Sequence, residues 1–331
     1  TLVDTLESNP QKTLTTTPHR ESIMNHLKAK TIARVLELRE LYRNGQLPYL
    51  TMREQLGLSE FDAVCYQTVW YLEGRRDLLT RTQSKLAKAQ ANETGYVNSG
   101  LTLSPADEAA PYLGKKFNAC FGATVICAAI CVGAHQGQGK LDSSRVARIG
   151  RTIMMACFRD EFLRMLAIEI KVAELKAMKV HARLAMRLNV ASDWWQMAEE
   201  VAERFPSVRF YDYSAIMGAV RNQNNVSRVY SLKDGRLDLA LKMLGEGYGV
   251  AMVFSISSKS SEPLPEFWNG IPVINGDIDD LWFLRMPTSG PFIVGLKVKG
   301  NKEEIQEAIE EGFAIDPNLS FQLAYGTHGA L

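Results

Sequence analysis

An α/β fold with a parallel sheet, arranged as a partial or closed (βα) barrel behind an N-terminal helical subdomain, follows from three features of the sequence. Short β-prone runs recur at 182–188, 208–213, 227–232, 249–254, 271–274 and 292–296, after an earlier one at 101–103. Most intervals between them carry a helical pattern, as at 193–205 and 237–244, and parallel strands need such crossovers. The 331 residues exceed one ordinary domain, and 46% apolar against 23% charged is the composition of a globular chain.

Residues 1–19, rich in Thr, Ser and Pro, read as a flexible lead-in. Over 20–91 the pattern is helical. Ile32, Val35, Leu36, Leu38 and Leu41 form an apolar stripe that stops at Asn44-Gly45 and Pro48. Thr51-x-x-Glu54 reads as a capping box, and Ser59-x-x-Asp62 opens the next helix, with Phe61, Val64, Cys65, Thr68, Val69 and Leu72 inward. The two short helices have helix-turn-helix spacing. The second begins Glu60-Phe61-Asp62, where a DNA reader places basic or amide side chains, so a structural or protein-docking role is expected for 20–91. Residues 92–300 form the barrel-like domain, interrupted by 143–178, read as two helices meeting near Asp160. The segment 301–331 holds an amphipathic helix at 302–311, and the last twenty residues read as a tail.

A net charge of +1 identifies no partner, so any nucleic-acid contact would need local patches such as Arg145, Arg148, Arg151 and Arg159. The longest apolar run, 123–134, is far below the ~20 residues of a membrane span. Residues 1–10 have neither the basic flank nor the apolar core of a signal peptide. Five cysteines without a secretion signal suit a reducing compartment, so a cytoplasmic location is expected.

Cys120, Cys127 and Cys131 follow the first strand with C-x6-C-x3-C spacing. On a continuous helix Cys127 and Cys131 share one face, and Cys120 from the preceding loop would close a three-thiolate site. Such a site suits an iron–sulfur cluster with one open iron, or zinc with a fourth ligand such as His135; buried thiols on an apolar helix are the other reading. At the end of the next strand, Arg187 and Asn189 could contact the anionic and amide groups of a ligand, with Ser192 or Asp193 capping the following helix; a structural ion pair at Arg187 is the alternative. In Phe210-Tyr211-Asp212-Tyr213, alternation sends both tyrosines to one face, where they could stack on a base or fill the core, and Asp212 to the other. Asp277, Asp279 and Asp280 form an acidic turn that could hold a divalent cation, and Lys297 could meet a phosphate. The G-x-x-x-x-G-K-[ST], G-x-G-x-x-G and G-x-S-x-G loops are absent, and His19, His26, His135, His181 and His328 make no H-x-H or H-E-x-x-H.

Leu101-Thr-Leu-Ser-Pro105, Asn118-x-Cys120, Cys127 with Cys131, Arg145-x-x-Arg148, Arg187-Leu-Asn189 with Ser192-Asp193, Phe210-Tyr-Asp-Tyr213, Trp268-Asn-Gly270, Gly276-Asp277, Asp280-Leu281 and Val294-Gly-Leu-Lys297 stand in a fixed order. In that order they resemble a family of phage and plasmid proteins of mostly unassigned function. The resemblance implies a bacterial host cell as the setting. The family's strand followed by a cysteine loop is in turn similar to radical S-adenosylmethionine enzymes, although their cysteines are spaced C-x3-C-x2-C. That similarity implies a [4Fe–4S] cluster on Cys120, Cys127 and Cys131, S-adenosylmethionine at the open iron, and a nucleotide or nucleic acid as substrate. Arg187, Asn189, Asp193, Tyr211 and Tyr213 would position it. A non-catalytic nucleic-acid-binding protein for replication or host takeover, or a protein-interaction role, are the alternatives.

Overall fold

Strands in the computed structural model are β1 (Leu79–Thr80), β2 (Tyr96–Leu101), β3 (Arg183–Arg187), β4 (Arg209–Ser214), β5 (Arg221–Gln223), β6 (Val226–Ser231), β7 (Gly249–Ser257), β8 (Phe267–Trp268), β9 (Ile271–Asn275), β10 (Phe292–Val298) and β11 (Ala314–Ile315). The structure describes residues 18–80, 94–114 and 116–320. Most of the expected lead-in, the expected helical residues 81–91 and the end of the tail lie outside them. The strands make one mixed sheet in the order β1-β2-β3-β4-β6-β7-β10-β9-β8. Every pair from β2 to β9 along this path is parallel, and β1 and β8 join antiparallel at the two edges. The edge strands do not pair with each other, so the sheet is open and the expectation of a closed barrel is corrected. β10 inserts between β7 and β9, an exchange that the spacing of strands along the chain cannot reveal.

The helices are α1 (Pro18–Arg43), α2 (Met52–Gln55), α3 (Glu60–Leu72), α4 (Ala110–Leu113), α5 (Val125–Ala129), α6 (Val132–His135), α7 (Asp142–Cys157), α8 (Arg159–Lys179), α9 (Trp195–Arg204), α10 (Leu237–Gly245) and α11 (Lys302–Glu310). Strand alternation divides the core between two faces. Leu184, Met186 and Phe210 point to the side packed by α8 and α9, and Tyr230, Val250 and Met252 to the side packed by α10. Ala185, Tyr211, Val229, Ala251 and Val294 point the other way, onto Leu281, Trp282 and Phe283.

That second packing spans the sheet. The segment 279–286 leaves β9, near one edge, and reaches β2 and β3 near the opposite edge. The Phe283 ring lies 5.5 Å from those of Tyr96 and Tyr211, and the Arg209 guanidinium sits 5.3 Å above it. Asp280, almost fully buried, takes a hydrogen-bonded ion pair from Arg187 at 2.9 Å.

The N-terminal helices share this core. Thr51 and Glu54 form the expected capping box, and the Ser59 hydroxyl caps α3 by accepting from the Asp62 amide at 3.1 Å. From Ala63 to Leu72, α3 is buried at every residue, between α1 and α7. Arg39–Glu73 at 2.6 Å and Arg34–Asp62 at 2.9 Å tie α1 to it. Only the first turn of α3, Glu60–Asp62, remains accessible to solvent. The break between α7 and α8 falls at Phe158, close to the expected position. Buried Glu169 on α8 accepts from the Leu78 and Leu79 amides at 2.8 and 2.9 Å, which fixes β1 on the sheet edge.

Two expectations change. The strand expected at 101–103 is β2, which runs from Tyr96 to Leu101, and Ala314–Ile315 of the expected tail pair with β7. Among the described residues no helix is long and apolar enough to cross a membrane.

Replacing Arg187 by Met leaves the Asp280 carboxylate in the core without its cation. Urea unfolding is expected to show a loss of about 3–5 kcal/mol, part of which returns when Asp280→Asn is added. A loss below about 1 kcal/mol would contradict the bridging role of this pair.

Candidate functional site

The cysteine segment lies across the C-terminal ends of β3, β4 and β6. Cys120 and Asp193 form an isolated parallel bridge, with the Asp193 amide donating to the Ala119 carbonyl at 2.9 Å. The Cys120 thiol donates to the Ala191 carbonyl at 3.5 Å. Two glycines make the close approach possible. A Cβ on Gly122 would lie 2.4 Å from Ala215 Cβ, and one on Gly133 would lie 2.5 Å from Ala191 Cβ, so any side chain at either position would lift the segment off the strands.

α5 has no capping side chain of its own; Asp234, after β6, supplies the acceptor. Its Oδ1 takes hydrogen bonds from the Thr124 hydroxyl and from the Cys127 amide, the latter at 3.3 Å. The helix stops at Ala129. Ile130 turns inward against Val298, Ala308 and Ala314, and Cys131 is extended (φ −54°, ψ 116°). The expectation that Cys127 and Cys131 stand i, i+4 on one continuous helix is therefore corrected. Anchoring Ile130 in the core costs the helix its continuity. Cys131 Sγ instead faces Gly133 and the Ala191 turn, where Cys120 also points.

Lys233, next to Asp234, completes the group. Burial works to lower its pKa, but its hydrogen bond to Cys127 and the nearby Asp193 and Cys120 hold it above the ordinary value. Burial pushes the Cys120 thiol up to about 12 and raises Cys131 as well. Both are protonated at neutral pH, with an ammonium beside them that favours the thiolate. Among the described residues no three His, Cys, Asp or Glu side chains form a group that could hold a metal ion.

Beside the thiols lies a buried polar network. Asn189 donates to Asp212 at 2.7 Å, and its Oδ1 accepts from the Ser192 hydroxyl and the Trp194 amide, both at 2.9 Å. Asn189 thus caps the start of α9, a part expected of Ser192 or Asp193. Asp193 is drawn away by its bridge to Cys120: Oδ2 accepts from the Ala215 amide at 2.9 Å, while Oδ1 is buried without a partner among the described residues. Arg187 lies 3.8 Å from Asp212 and 4.6 Å above the Tyr213 ring. Burial opposes its charge, and Asp280, Tyr213 and Asp212 more than restore it. The Tyr211 hydroxyl donates to Asn98 at 2.9 Å, so this ring fills the core with its polar end satisfied and has no face open to a base.

The remaining candidates have separate duties. Asp277 accepts from the Lys297 amide at 2.7 Å, Asp279 forms a two-pronged pair with Arg285, and Asp280 holds Arg187. Among the described residues the acidic turn therefore gathers no group that could hold a metal ion. The Lys297 ammonium donates to the Ser260 and Glu262 carbonyls. The arginine series is also engaged: Arg145 and Arg148 with Glu108, Arg159 with Glu200, and Arg151 over the Tyr71 ring. Lys233 and Asp234 escaped the sequence reading because Lys-Asp-Gly is an ordinary turn signal. Their position straight after a parallel strand was the cue available.

A family model described as Gene product 88 matches residues 77–317, well over half of the chain. The chain belongs to the Gene product 88 family. This fits the phage and plasmid family expected from the motifs, and the matched region takes in the whole cysteine segment and all of the parallel strands. No curated protein and no solved structure matches the chain.

Within this Gene product 88 region, Asp212 offers a direct check of burial. Desolvation raises its carboxyl to about 6, against the pull of Arg187, Arg228 and the Asn189 amide. The stability that its protonation contributes is full below about pH 4 and is lost as pH rises through about 6. Carbon-13 NMR is expected to show one carboxyl titrating near that value and absent from Asp212→Asn. A carboxyl titrating near 4 would show this pocket to be wet.

Proposed function

We propose that this protein is a radical S-adenosylmethionine-like enzyme whose open parallel sheet acts as a partial barrel. Cys120, Cys127 and Cys131 would hold a [4Fe–4S] cluster at the strand ends. The observation that carries this reading is the grouping of three thiols from the loop after the first parallel strand around the Lys233 ammonium. That loop lies at the C-terminal edge of the sheet, where α/β folds place ligands.

The proposal is of a cluster and not of a single ion. A tetrahedral zinc ion needs a fourth ligand and thiolates within about 4 Å of one another, and no described group meets that. A cluster has a body of its own to span wider sulfurs, and three thiolates leave one iron open. When bound and reduced by an external one-electron donor, such a cluster would supply reductive cleavage of S-adenosylmethionine.

The chain's own residues do the rest. Lys233 offsets the charge of the thiolates and lowers the cost of removing their protons. The buried Asp193 Oδ1 and the buried Tyr213 hydroxyl, neither with a partner among the described residues, are free to meet a ligand's polar groups. The Ala215 amide holds Asp193, and the Arg187 guanidinium over its ring holds Tyr213. Because Cys120 must lose its proton, loading releases protons and is favoured by rising pH.

Anaerobic reconstitution with ferrous iron and sulfide tests the proposal. The expected product absorbs broadly near ~400 nm with iron and sulfide at about 4:4 per chain. Cys120→Ala, Cys127→Ala and Cys131→Ala should each abolish the band, while Cys65→Ala and Cys157→Ala keep it. A colourless chain, or equal loading in all five variants, would overturn the assignment.

A further inference from the structure

We infer that a second site, outside the thiol group, binds the phosphates of a small ligand. A cleft of about 300 Å³ opens where the loops after β7 and β10 meet the glycine run that follows α6. Lys140, Lys259 and Lys299 line it, one from each of three separate segments. Lys140 and Lys259 are exposed and Lys299 is half-buried, and among the described residues none of the three is paired with a carboxylate. Glu304, the acid on the wall, is turned back on its own helix, where its carboxylate accepts from the Asn301 amide at 2.8 Å.

The walls are held in place. Gln136 donates to the Lys299 carbonyl at 3.1 Å, joining the glycine run to the end of β10, and Lys297 donates to the Ser260 and Glu262 carbonyls, bracing the loop that carries Lys259. Three unpaired ammonium groups around one cleft repel one another until an anion enters. A compact di- or triphosphate answers that field. The cleft has the size of a small-molecule site and is no continuous basic stripe, and the nearby arginines that could extend it along a nucleic acid are already paired. It opens on the same edge of the sheet as Cys131, five residues before Gln136. A ligand anchored there by its phosphates would extend along the strand ends toward the thiols.

Isothermal titration of the full-length, metal-free chain with inorganic pyrophosphate at low salt tests this without any cluster, so its outcome is independent of the thiol centre. Saturable one-to-one binding is expected, weakened about tenfold or more in Lys259→Glu/Lys299→Glu and less in Lys299→Gln. Lys242→Glu, on α10 and away from the cleft, should bind as the parent does, and thermal melts should show all three variants folded. No saturable binding, or equal binding by the parent and the double variant, would overturn the site. A single-stranded oligonucleotide that displaces pyrophosphate and binds more tightly would overturn the small-ligand assignment in favour of nucleic acid.

Discussion

One half-buried cation ties the two sides of the sheet together. Arg187 closes β3, near one edge, and Asp280 follows β9, near the other; their hydrogen-bonded pair fixes where the 279–286 segment crosses. Trp282 and Phe283 can fill the sheet's inner face only because that crossing is anchored. A guanidinium loses most of its hydration on burial, and two carboxylates and a tyrosine face return the interaction. The arrangement fixes geometry more than it adds stability. It also sets Tyr213, Asp212 and Asn189 beside the strand ends on which the cysteine segment rests.

That segment shows a second constraint. Glycine at positions 122 and 133 brings backbone against Ala215 and Ala191, and Asp193 and Asp234 fasten the segment from the strands below. The three thiols thus meet a lysine in a partly dry place. Burial raises the Cys120 and Cys131 thiols, and the lysine favours their ionisation. Loading the cluster we propose would therefore have to displace those protons.

Much of this was legible in the residues. The runs at 182–188, 208–213, 227–232, 249–254, 271–274 and 292–296 became β3, β4, β6, β7, β9 and β10 because β-branched and aromatic side chains suit a sheet buried on both faces. β2 was placed too late, since Tyr-Val-Asn-Ser-Gly-Leu carries little β signal; its Asn98 is buried for the sake of the Tyr211 hydroxyl, a reason that exists only in three dimensions. The helix break at Ile130 was hidden for the same reason, since it depends on Val298, Ala308 and Ala314, far along the chain. Alternation placed Tyr211 and Tyr213 on one face correctly, but could not show that Trp282 and Phe283 would occupy it. Arg187 and Asn189 were rightly singled out as strand-end groups. The structure assigns them to an ion pair and a helix cap, which support the site from beneath.

Electron paramagnetic resonance of the reconstituted, dithionite-reduced chain, recorded before and after S-adenosylmethionine is added, tests the thiol centre most directly. A reduced-cluster signal whose g-values shift on addition is the expected result, because the iron without a cysteine would take the new ligand. A signal unchanged by S-adenosylmethionine, or no signal at all, would contradict the proposed cluster.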